Sequence, residues 1–171
     1  MPRRPPLRRL VLAGGVVVVG AAVALTAFTS RSGTPKRAAT GPVPVEAPTA
    51  TAAPVVAACA ALTASLPDEL DTGVHRRPVT GDKDRTAAWG DPPITLRCGV
   101  ALPDQSLEPI IIDGLKLVTT KTAGVITWTT FDRAVNVSIA VPTSYEEQVY
   151  DVQPLVPLLK KLPSPQPAPG A

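Results

Sequence analysis

The sequence predicts an α+β domain: a small antiparallel sheet of four or five strands with two helices on one face and one disulfide, preceded by a single transmembrane helix. Three observations predict it. Apolar residues recur at helical spacing near both ends of the foldable region, around residues 55–66 and 153–162. Between those ends, residues 134–141 alternate strictly, with Val135, Val137, Ile139 and Val141 set against Ala134, Asn136, Ser138 and Ala140. A chain of this length with two cysteines and 4% aromatic residues has an aliphatic core and at most one intramolecular bridge.

Taken in order, the chain begins with four arginines in residues 1–9 (Arg3, Arg4, Arg8, Arg9), followed by an uncharged run over residues 10–30. At about 1.5 Å per residue the run reaches roughly 30 Å, the thickness of a hydrocarbon core. A basic stretch before an apolar one also describes a cleavable signal peptide, and Ala22-Val23-Ala24 supplies the small residues that cleavage needs. Signal-peptide apolar stretches usually run about 7–15 residues, shorter than this one, which favours an uncleaved anchor. In both readings the arginines hold the N-terminus in the cytoplasm and the rest is exported. The expected localisation is the cell membrane, single-pass with the domain outside, or secretion if the segment is cleaved. Val56-Ala57-Ala58-Cys59 resembles a lipidation box, but it lies too far beyond the apolar run to serve as one.

The arginines also explain the charge. Removing those four from the total of 17 basic residues leaves 13 against 14 acidic ones, so the net +3 is an orientation signal and nucleic-acid binding is not expected. Proline, 21 of 171 residues against an average of about 5%, concentrates in two tracts that bracket the fold. Residues 31–54, built of Pro, Ala, Thr and Gly, read as an extended linker reaching up to roughly 70 Å. Residues 163–171 read as a Pro-rich disordered tail, which leaves residues 55–162 for the domain.

Val55, Cys59, Leu62 and Leu66 form one helical stripe, with Pro54 in the first turn and Pro67 as the stop. Residues 73–80 and 93–100 read as extended, with the charged loop GDKDRT between them. Asp113-Gly114, inside IIIDGLKLV, signals either a tight hairpin or a bulge. Residues 124–131 and 134–141 read as an antiparallel hairpin joined at Asp132-Arg133. Trp128 shares a strand face with Ile126 and is expected in the core. Thr143 and Glu146 have capping-box spacing, and Leu155, Leu158, Leu159 and Leu162 place a last helix at about residues 153–162, with Pro154 in its first turn.

In an exported domain, Cys59 and Cys98 are expected to pair, tying the first helix to the sheet. Closing a loop of about 40 residues is worth roughly 4 kcal/mol in the chain-entropy model. The sequence holds a single histidine, His75, and no GxSxG, HExxH, P-loop or GxGxxG, so no metal or cofactor is expected. His75 reads as an exposed strand residue, and Asn136-Val137-Ser138, an acceptor sequence for N-glycosylation, as strand. Arg76, Arg77 and Arg97 carry fixed positive charge suited to a carboxylate or phosphate; Trp89 offers a flat apolar surface and Asp91 could orient one arginine. That ligand patch requires the side chains to converge on a concave surface with Trp89 accessible.

CAALTASLP, RRPV, AAWGDPPITLRCGV, TTFDR and VPTSY, in that order, resemble the actinobacterial family called domain of unknown function 3515, membrane-anchored envelope proteins without an established activity. The resemblance runs from about Cys59 to Leu162 and rests most on WGDPPITLRCG. Positions matching it are Cys59, Arg76, Arg77, Pro78, Trp89, Gly90, Asp91, Pro92, Arg97, Cys98, Gly99, Arg133 and Pro142. The expected function is a non-catalytic, membrane-anchored envelope module with a protein partner in the envelope. The alternative is a receptor that holds an anionic ligand, a lipid phosphate or peptidoglycan fragment, on the Arg/Trp patch.

Overall fold

The structure is a computed structural model that describes residues 41–70, 73–146 and 148–165. The predicted span at residues 10–30 lies outside them, and among the described residues no helix is long and apolar enough to cross a membrane.

The architecture is α+β, with a larger sheet than the sequence predicts. Strands β2 (Glu69–Leu70), β3 (Val74–Arg77), β5 (Thr86–Trp89), β6 (Ile94–Cys98), β7 (Ile110–Ile112), β8 (Leu115–Thr122), β9 (Val125–Thr130) and β10 (Val137–Pro142) form one sheet. Its order is β2-β3-β5-β6-β10-β9-β8-β7, eight strands with every pairing antiparallel. A separate two-stranded piece pairs β1 (Val43–Pro44) in parallel with β4 (Val79–Thr80).

Helix α1 (Ala53–Ala64) buries the predicted stripe, with Cys59, Leu62 and the following Leu66 inside and Val55 packed against them. At the other end, α2 (Gln148–Val152) precedes the bounds expected for the last helix, and within residues 153–162 the structure has a single 3-10 turn at Gln153–Leu155 followed by α3 (Val156–Leu159). Pro154 and Pro157 each remove a helical N–H donor, and the leucines keep their inward stripe across the breaks. Residues 143–146 form a turn rather than a helix start.

Asp113 and Gly114 both have positive φ, 47° and 80°, so the ambiguous step is a tight two-residue hairpin between β7 and β8. Ala123 and Gly124, at 44° and 79°, join β8 to β9 in the same way. The β9–β10 hairpin forms, with Ser138 opposite Thr129 and Ile139 opposite Trp128, but its connection is longer than Asp132-Arg133. Residues 134–136 belong to that connection. Asn136 precedes β10 instead of lying in it, and its carbonyl accepts the Gly99 and Val100 N–H groups. Thr130 Oγ1, fully buried, accepts the Val137 N–H at 3.0 Å across the connection. Thr130→Val should lower the unfolding free energy by about 1–3 kcal/mol, because the amide loses its acceptor inside the core. Urea unfolding measures this; a change within about 0.5 kcal/mol would mean that the amide finds another acceptor.

The core lies between one sheet face and the helices: Trp89, Ile94, Leu96, Cys98, Ile139 and Leu117 meet Cys59, Leu62, Leu155 and Leu159. Cys59 and Cys98, both fully buried, form the disulfide between α1 and β6 with a Cα–Cα distance of 5.5 Å. Trp128 lies in this core, 5% exposed.

The second sheet face is partly covered by a segment expected to be free linker. Residues 41–52 cross it as a strap, with Val43 and Val45 buried against Val79 and Ala88. Arg77 donates to the Gly41 carbonyl, Arg97 to that of Ala47 and Arg85 to that of Ala50, while Ala50 N–H donates to Gly99. The two buried valines and these bonds hold the strap against the sheet. The linker expectation is corrected accordingly: residues 41–52 are part of the fold.

Candidate functional site

The five residues of the predicted ligand patch do not form one site. Trp89 is fully buried. Its indole N–H donates to the Pro67 carbonyl at 3.0 Å and its ring lies 5.8 Å from the Arg76 guanidinium, so it offers no surface for a ligand to stack on. Arg76 turns toward the end of α1, where it donates to the Thr63 and Leu66 carbonyls and complements the negative end of the helix. Arg77 and Trp89 lie on opposite sheet faces, as the register of Arg77 with Ala88 requires. Its two Nη atoms donate to the Gly90 and Gly41 carbonyls, each at 2.8 Å. Asp91 sits exposed in the turn after β5. Arg97, in the middle of β6, pairs with the exposed Glu46 of the strap at 3.3 Å. The residues suited to holding an anion are mostly engaged in holding the chain. His75 is exposed, 3.8 Å from Glu69.

The turn after Trp89 is a close-packed joint. Gly90 has φ +67°, and the Tyr145 hydroxyl donates to the Pro92 carbonyl at 2.8 Å above it. Burial raises the Tyr145 pKa above the ordinary phenol value, with nearby Asp151 and Asp91 adding to the effect. The hydroxyl therefore stays protonated and able to donate.

Among the described residues, two concavities bear on the predicted patch. The larger, about 390 Å³, opens on the second sheet face beside the strap. Its floor is a patch of small hydroxyls brought together by register: Ser138 and Thr129 lie opposite each other, Thr127 follows on β9, and Thr120 lies opposite Thr127 on β8. Thr49 of the strap and Arg97 form one side. Val100, Pro103 and Leu107 of the β6–β7 connection form the other, giving hydroxyl donors between apolar walls. Asp104 on that wall accepts the Ser106 N–H and hydroxyl at 2.9 and 2.8 Å, which lowers its pKa and keeps it ionised. Just outside, Leu102 is 60% exposed, and Ile111, on the same face, is 66% exposed. The smaller concavity, about 210 Å³, lies where β3 and β5 separate and includes Arg76, Arg77 and Lys83. Among the described residues no group of three or more His, Cys, Asp or Glu side chains could hold a metal ion.

Of the predicted patch, only Arg97 lines the larger groove. The sequence signal for the rest was the placing of Thr127 and Thr129 on either side of Trp128: alternation that buries the Trp directs both threonines to the other face.

The sequence profile of the family described as Protein of unknown function (DUF3515) matches residues 12–165. The chain belongs to that family. No curated protein and no solved structure matches it. In this DUF3515 chain, the residues that carried the sequence resemblance are mainly framework: the Cys59–Cys98 bridge, Arg76 on α1, Arg77 on the turn after β5, and Arg133 donating to Ser164.

Proposed function

We propose that this chain is a membrane-anchored, extracytoplasmic, non-catalytic module of the cell envelope that docks an extended segment of a partner protein in the groove on the second sheet face. The observation that carries the reading is the strap. The same face already holds one extended, proline-rich peptide, by burying small apolar side chains and donating to its carbonyls from Arg77, Arg85 and Arg97. The groove continues this seat directly, since Thr49 of the strap forms part of its wall. Its hydroxyls supply the same kind of donor, and exposed Leu102 and Ile111 extend the apolar contact. Export is supported by the buried disulfide, a bond that persists in oxidising compartments, and by the arginines ahead of residues 10–30. A non-catalytic role is supported by the groove's makeup, in which the one carboxylate is ionised and engaged by Ser106.

The test places a photo-crosslinking residue at Leu102 of the full chain in its native membrane. A discrete protein adduct is expected, and Thr129→Arg, which fills the groove, should reduce it about tenfold or more. Lys83→Ala, in the other concavity, should leave it unchanged. An adduct indifferent to Thr129→Arg would show that the groove is not where the partner sits.

A further inference from the structure

We infer that the concavity between β3 and β5 holds the phosphate headgroup of an anionic lipid, an inference that rests on the membrane-anchored reading above. Two of its lining residues, Arg77 and Lys83, bring positive charge to it and none is acidic; Arg76 also lines it, but its guanidinium turns to the opposite sheet face, against Trp89 and the end of α1. The ion pairs among the described residues are made by His75, Arg85, Arg97 and Arg133, so no carboxylate neutralises Arg77 or Lys83. The Arg77 Nη groups bind backbone carbonyls, which fix the side chain without cancelling its charge and leave N–H donors over. Asp82, next to Lys83, is already taken by Arg85 at 2.6 Å.

Position and size point to the same ligand. Arg77 holds the Gly41 carbonyl, so the concavity sits where the chain arrives from its N-terminal side. Residues 31–40 separate Gly41 from the predicted span, and ten residues fully extended cover at most about 36 Å. At about 210 Å³ it is smaller than the roughly 300 Å³ at which small-molecule sites begin. It suits a phosphate group whose remainder stays outside, and guanidinium and ammonium groups are the donors that phosphate takes.

The test uses the full chain in nanodiscs of phosphatidylcholine, with or without phosphatidylglycerol, and follows amide hydrogen exchange over residues 76–87. Phosphatidylglycerol should slow exchange about fivefold or more. Lys83→Ala, which removes an exposed side chain without a protein partner, should cost about fivefold in that protection, the effect of one cation near an anionic surface. Arg77→Ala is a weaker test because it also releases the strap. No slowing in a chain that resists carbonate extraction would overturn the site. Equal slowing by inorganic phosphate in phosphatidylcholine discs would overturn the lipid as its source. A chain extracted by carbonate would overturn the membrane reading instead. In that case sn-glycerol 1-phosphate added to the released chain decides the site: slowing abolished by Lys83→Ala upholds it, and no slowing overturns it.

Discussion

Replacing Cys59 and Cys98 together by alanine is expected to lower the unfolding free energy by roughly 4 kcal/mol. The two residues are 39 apart in sequence, and opening a loop of that size restores to the unfolded chain an entropy worth about that amount. The effect is large for this fold because the bridge joins α1 to β6, a central strand, through the middle of the core. Both sulfurs are fully buried, so the variant also loses packing between helix and sheet. Guanidinium unfolding of the oxidised protein and the variant measures the difference. A loss below about 1 kcal/mol would show that the bridge does not constrain the chain as the structure has it.

Gly90→Ala should cost about 2–5 kcal/mol. A left-handed backbone costs an L-residue about 1–2 kcal/mol, and Gly90 has φ +67°. A Cβ at this position would come within 2.3 Å of the Tyr145 hydroxyl and 2.4 Å of Val74 Cγ1, contacts that overpack the joint for about 1–3 kcal/mol more. Tyr145 can retreat only by giving up its bond to the Pro92 carbonyl. The check is a double-mutant cycle by urea unfolding. Tyr145→Ala should recover part of the loss from Gly90→Ala, because it removes one of the two clashing groups. Strict additivity would mean that the two residues do not meet.

Several parts of the fold were legible because a local pattern coincided with a tertiary boundary. The α1 stripe, the β9–β10 hairpin, the core position of Trp128 and the Cys59–Cys98 pairing all follow from periodicity or from the presence of only two cysteines. β5 was not legible. All four of its residues, Thr86 to Trp89, are buried, since the helices cover one sheet face and the strap covers the other. A strand buried on both sides shows no alternation, and TAAW has little apolar bulk to reveal it. β2, at two residues, is too short to carry a period, whereas β4 falls at the end of the extended stretch read at residues 73–80 and β7 in the apolar run before Asp113-Gly114. The strap was obscured by composition. Val43 and Val45 flank Pro44 with the period of a strand, but the surrounding Pro, Ala and Thr read as linker.

The candidate site divides along the same line. The residue types suited to binding an anion were visible as Arg76, Arg77 and Arg97, and the sequence alone also determined the aliphatic core, the bridge, and the family. Only the tertiary structure decided that Trp89 is interior, that Arg97 braces the strap, and that Lys83 joins Arg77 at a second concavity. It also decided that Thr120, Thr127, Thr129 and Ser138 share one floor. The physical reason is that period and composition fix which side of its own strand a residue occupies, whereas what covers that side depends on segments far away in the chain. Here the deciding cover is the strap, whose carbonyls lie 35 to 50 residues from the arginines that hold them.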